Sequence, residues 1–229
     1  MTPRRFAAGA ALSHLLLAPV FAGPEHKNLQ VLPKAIANAE LKTMMEGFTK
    51  QLGVKCTFCH VPDQYAKDDR SHKDDARRMI RLVTELKAKK AEYFARGTKD
   101  TMLNCALCHR GKAEPEPFAT SLFGNFSFFP SGVVNPGFKN LRVLPRNTNT
   151  EEMKRTMNGF SEQLGVKCEF CHAESAAADD KPHKGDARRM MRLVAALKAK
   201  KAEYFGPRAQ ESNIACGLCH RGKASIEAR

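Results

Sequence analysis

The chain has 229 residues, with 38 Lys and Arg against 24 Asp and Glu, a formal charge of +14 and eight cysteines. No segment beyond the first few tens of residues is apolar for long enough to cross a bilayer. The basic balance does not point to nucleic acid, because no nucleic-acid-binding motif accompanies it; it reads as a solvated basic surface, any patch of which could steer an acidic partner.

In chain order, residues 1–22 read as a secretory signal. Arg4 and Arg5 give a positive start, Phe6 to Leu17 a short apolar run, and Val20-Phe21-Ala22 a small-residue cleavage pattern. The mature chain is expected to begin near Gly23, in the periplasm, with no transmembrane segment. No cysteine follows the cleavage site to take a lipid anchor. A first helix is predicted over Ala39 to Leu52, with Leu41, Met45, Phe48 and Leu52 on one stripe. Gly53 stands where a left-handed residue would end it. The motif Cys56-Thr-Phe-Cys59-His60 follows at once. A second helix is predicted over Asp74 to Phe94, with Met79, Leu82, Val83 and Leu86 as its apolar stripe, and a loop then leads to Cys105-Ala-Leu-Cys108-His109.

The same order then repeats. Cys168-Glu-Phe-Cys171-His172 begins 112 residues after Cys56, and Cys216-Gly-Leu-Cys219-His220 closes the second copy. Gln51 to Cys56 returns as Gln163 to Cys168, and Leu86 to Phe94 returns unchanged as Leu197 to Phe205. The predicted helices of the second copy are Glu151 to Leu164, with Asn149 and Glu152 as a capping box and Gly165 as its end, and Asp186 to Phe205. The division is therefore a signal peptide (1–22), a first module (23–112), a connector (113–138) rich in Phe, Pro and Gly, and a second module (139–229). The connector's phenylalanines, Phe118, Phe123, Phe126, Phe128 and Phe129 among them, argue against a free linker, so it is expected to pack on both modules or on a partner. No run alternates as a strand does.

All eight cysteines belong to the four motifs. Cys-x-x-Cys-His is the attachment pattern of c-type haem: two thiols reach one porphyrin edge, and the adjacent imidazole reaches the iron. Zinc ribbons and iron–sulfur sites have no use for the trailing histidine, and a thioredoxin-like pair occurs once per domain. The cofactor-binding residues are therefore Cys56, Cys59, Cys105, Cys108, Cys168, Cys171, Cys216 and Cys219, for four covalently attached haems. His60, His109, His172 and His220 are the proximal ligands. The periplasm to which the signal is expected to lead oxidises free thiols, so thioether attachment also keeps these cysteines from random pairing. Each module has little apolar core of its own, so the haem-free chain is expected to be largely unfolded.

The distal ligand decides between electron transfer and small-molecule chemistry. Met45 and Met157 each lie 11 residues before their first motif, on the preceding apolar stripe. They are candidates, against the commoner role of a methionine in a core. Met79 and Met190 each lie 26 residues before the second motif of their module. Their competitors are His72 and His183, also shared between the copies. Met44 and Met191 are set aside, because their counterparts are Thr156 and Ile80. Arg77, Arg78, Arg188 and Arg189 are read either as partners of haem propionates or as a solvated helix face. His26 has no counterpart and no assigned role.

The Asn-Leu-x-Val-Leu-Pro opening, the methionine-bearing helix, Leu-Gly-Val-Lys-Cys-x-Phe-Cys-His, Ala-Arg-Arg-Met and Cys-x-x-Cys-His-Arg-Gly together resemble the cytochrome c subunit of photosynthetic reaction centres and the non-photosynthetic cytochromes built on the same module. The resemblance implies a methionine on the helix before the motif as distal ligand, hence Met45 and Met157, and more loosely Met79 and Met190. It also implies one haem with two histidines, which keeps His72 and His183 in view. The expected fold is mainly α: a multihaem cytochrome of two tandem dihaem helical modules with little or no sheet. The expected function is electron carriage between redox partner proteins, acidic or membrane-bound, and not catalysis. Donation to a reaction centre, or a reductase with an open haem, are the alternatives.

Overall fold

The computed structural model describes residues 26–116, 137–209 and 213–226. The signal-peptide reading and most of the connector lie outside these residues. Eight α-helices run through the described chain: α1 Asn38–Leu52, α2 Ser71–Ala88, α3 Lys90–Tyr93, α4 Ala106–His109, α5 Thr150–Leu164, α6 Pro182–Ala199, α7 Lys201–Phe205 and α8 Cys216–His220. The described residues contain no strand, so the fold is mainly α as expected.

The local signals for α1 and α5 act as the sequence indicates. Asn149 accepts from the Glu152 amide at 2.9 Å, while the Glu152 carboxylate accepts from the Asn149 amide at 3.1 Å. Both of these helices end on a left-handed glycine, Gly53 at φ 63° and Gly165 at φ 61°. Their glycine is required by space as well as by torsion: a Cβ on Gly53 would stand 2.0 Å from the Gly111 carbonyl oxygen, and one on Gly165 2.0 Å from that of Gly222.

The second helix of each copy differs from expectation. It begins earlier, at Ser71 and Pro182, and it breaks at Lys89 and Lys200, whose ψ values of 20° and 22° leave the helical region. The break turns the following short helix so that Tyr93 and Tyr204 enter the interior, at 4 % and 2 % exposure. No Gly or Pro marks this break, and packing against the other half of the chain makes it.

The halves interlock. α2 packs on α7 and α3 on α6, while α1 packs on α4, α5 on α8, and α4 on α8. Wholly buried apolar side chains are few among the described residues: Ile36, Tyr93, Leu103, Val194, Tyr204, Ala209, Ile214 and Cys216. A hydrophobic cluster gathers Val194, Ile214 and Cys216 with Leu144, Phe160, Leu164, Met191, Leu197 and Phe205. Leu41, Met45, Phe48 and Leu52 stay half-buried, as do Met153, Met157, Phe160 and Leu164. The apolar faces beside the first motif of each half are thus only partly closed by protein.

Candidate haem-attachment sites

Each first motif leaves its glycine-capped helix through a short 3-10 turn, Cys56–Phe58 or Cys168–Phe170. Each second motif forms a short helix, α4 or α8, docked on the end of α1 or α5. One residue makes that docking in each half. The Gln51 backbone carbonyl accepts from the Gly111 amide at 2.9 Å, and its side-chain oxygen accepts from the Cys105 amide at 3.0 Å. Gln163 does the same, through its carbonyl with Gly222 at 2.9 Å and its side chain with Gly217 at 2.9 Å. Sequence reasoning assigned neither glutamine a role; their recurrence before each Leu-Gly-Val-Lys-Cys was the available signal.

Three of the four motif histidines share an orientation. Nδ1 lies 3.1 Å from the Tyr65 carbonyl in His60, 3.1 Å from Lys112 in His109 and 2.9 Å from Lys223 in His220. A carbonyl only accepts, so each Nδ1 carries the proton and each Nε2 presents a bare lone pair, the form that ligates a metal. In His172 the Nδ1 is buried without a hydrogen-bond partner, although the carbonyl of Ala176, counterpart of Tyr65, accepts from the Lys184 ammonium at 2.9 Å just as that of Tyr65 accepts from Lys73. Burial pushes all four imidazoles below their ordinary range, which favours the neutral form. Burial likewise raises the thiols of Cys59, Cys105 and Cys171, and takes Cys216 up to about 11.

With this geometry in place, the family comparison is decisive. A family model described as the photosynthetic reaction centre cytochrome C subunit matches the chain twice, over residues 18–125 and 131–227. The chain belongs to this family.

Three relatives show the distance within it. The photosynthetic reaction center cytochrome c subunit of Thermochromatium tepidum is 27 % identical over 67 % of this chain and 45 % of its own length. That of Rubrivivax gelatinosus is 23 % identical over 86 % of this chain and 65 % of its own. Cytochrome c-554 of Chloroflexus aurantiacus is 33 % identical over 38 % of this chain and 20 % of its own. The chain spans less than two thirds of the length of each. Membership implies covalently bound c-type haem, and the four motifs carry the residue types that attachment needs. The orphaned Nε–H donors of Arg78 and Arg189, buried at corresponding positions of the two halves, also fit a group that brings carboxylates.

The remaining site residues fall as follows. Met45, Met79, Met157 and Met190 are half-buried on α1, α2, α5 and α6. The methionine packed against the cluster around Cys216 is Met191, which the repeat comparison had set aside. The His72 ring stacks on Phe58 with centroids 4.0 Å apart, and its carbonyl lies 3.8 Å from the Cys59 sulfur. His183 stacks on Phe170 at 4.0 Å. Both histidines therefore stand at the first motif of their half, not the second. Arg77 is not a solvated face: it is 6 % exposed and donates to Asp68 at 2.8 Å and Asp74 at 3.3 Å. Arg188 repeats the contact with Asp179 at 2.8 Å. The guanidinium of Arg77 holds the Asp68 carboxyl well below the usual carboxylate range.

One feature departs from the reading that every cysteine escapes disulfide pairing. Cys108 and Cys219, the second cysteines of the second and fourth motifs, are joined as a disulfide with Cα atoms 4.7 Å apart. The docking of α4 on α8 brings them together. A sulfur so paired carries no thioether, so this bond and haem attachment at the same two sulfurs exclude each other.

Proposed function

We propose that this chain is a periplasmic tetrahaem c-type cytochrome, built of two dihaem modules, that carries electrons between redox partner proteins. The observation that carries the reading is the histidine geometry at the motifs: three of the four imidazoles are fixed through Nδ1 with Nε2 free, each beside its own pair of cysteines. When bound, the haem iron supplies a one-electron couple. The chain's own part is to attach, orient and seal. The motif cysteines would hold the haem covalently, and the motif histidines would ligate its iron. Met45 and Met157, and Met79 and Met190, offer the other bond. The stacking of His72 and His183 at the first motifs supports methionine at the second ones.

The element contacts support a relay. The first and second motifs are joined through α1 and α4, the second and fourth through α4 and α8, and the fourth and third through α8 and α5. Haem attachment at Cys108 and Cys219 would require both as reduced thiols, in place of the disulfide. The family's names favour a second reading, donation to a photosynthetic reaction centre. Stable association with a membrane photocomplex would distinguish it.

The optical spectrum of the dithionite-reduced holoprotein, with and without carbon monoxide, tests the carrier reading. Four six-coordinate irons give no change on adding the gas. A clear adduct would mean an open iron and move the reading to a reductase.

A further inference from the structure

The residue after the ligating histidine of each second motif is an arginine in the left-handed region, Arg110 at φ 52° and Arg221 at φ 49°. Gly or Asn adopts that conformation with less strain than Arg. The turn itself is made by backbone, from the Arg110 amide to Ala106 and the Arg221 amide to Gly217, both at 3.1 Å. Nothing in the turn therefore asks for a long cationic side chain. The junction between the halves does. The Arg110 guanidinium donates to the carbonyl of Cys219 at 2.6 Å, from the second motif directly into the fourth. Arg221 reaches the other way, donating to the Glu116 carboxylate at 3.0 Å and its carbonyl at 2.9 Å.

We propose that Arg110 is a positioning residue for electron passage between the two halves: its guanidinium ties the second motif to the fourth and sets their separation. Arg221 holds the start of the connector against the same junction and acts on that separation only indirectly. The Arg110 contact ends on a backbone oxygen, which thioether formation at the Cys219 sulfur leaves free to accept it. The inference rests on the reading that both motifs carry a haem.

The test uses the holoprotein and three variants. Arg110→Gly keeps the left-handed turn without strain and removes the arm. Arg110→Asn also tolerates the turn and is too short to reach Cys219. Arg221→Gly is the comparison. Electrons are introduced by a short radiolytic pulse at less than one equivalent, and equilibration among the haems is followed optically, with haem content measured on each sample. The expected result is full haem content and a low-spin spectrum throughout, with equilibration severalfold slower in both Arg110 variants and much less altered in Arg221→Gly. Wild-type rates in both Arg110 variants would overturn the inference, as would an equal slowing in Arg221→Gly. A wild-type protein with fewer than four haems would instead overturn the underlying carrier reading, and is seen before any variant is made.

Discussion

At the residue scale, the proposed attachment residues are legible because covalent chemistry would fix their spacing, whereas the proposed distal ligands depend on folding. Met45→Ala and Met157→Ala should each open one iron, so the reduced variants should bind carbon monoxide where the parent does not; unchanged spectra would remove these methionines from ligation. The fourth motif poses a sharper choice. The repeat favours Met190, yet Met191 is the one packed against the cluster of Val194, Ile214 and Cys216. Met190→Leu should disturb the low-spin spectrum and Met191→Leu should not, and the reverse result would hand the ligand role to Met191. Gln163 was invisible to motif reasoning, since an amide before a glycine has many uses. It is 7 % exposed and satisfies the Gly217 amide. Gln163→Ala should cost about 1–3 kcal/mol in denaturant unfolding of the holoprotein, because it orphans a buried donor.

At the scale of elements, α1 and α5 were readable almost to the residue because their caps are local chemistry. Asn149→Ala removes the Asn149 half of a reciprocal capping box and should cost about 1 kcal/mol by the same measurement; no change would mean that tertiary contacts alone hold the start of α5. The break at Lys89 and Lys200 was not readable. Leu86 to Phe94 and its copy carry an unbroken helical pattern, and only the burial of Tyr93 and Tyr204 against the opposite half bends it. The positions of His72 and His183 were hidden for a similar reason. Counting along the chain relates them to the second motif, while the loop after the first motif folds them back onto Phe58 and Phe170.

At the scale of the whole molecule, the halves are alike in sequence but unlike in their contacts. Glu85 on α2 accepts from the Lys200 ammonium at 2.8 Å and from the Tyr204 hydroxyl on α7, whereas the counterpart of Glu85 is Ala196. The Lys200 ammonium, and then the Tyr204 hydroxyl, hold the Glu85 carboxyl at about 2, below its ordinary 4.5. A depressed carboxyl pKa stabilises the fold above the ordinary value and loses that contribution as pH falls toward the folded one. Stability of the holoprotein should therefore decline between pH 4.5 and about 2, and Glu85→Gln should flatten part of that decline. An identical acid profile for Glu85→Gln would show that the contact contributes nothing. Wholly buried apolar side chains are few among the described residues, which is why the haem-free form is expected to be largely unfolded.

The central claim, a haem on each of four motifs, and the Cys108–Cys219 disulfide cannot hold in one molecule with all eight thioethers. The intact mass of the mature protein, denatured without reductant, tests the claim most directly. The account predicts the polypeptide plus four haems and no disulfide. A mass with fewer haems and a Cys108–Cys219 cross-link would contradict it.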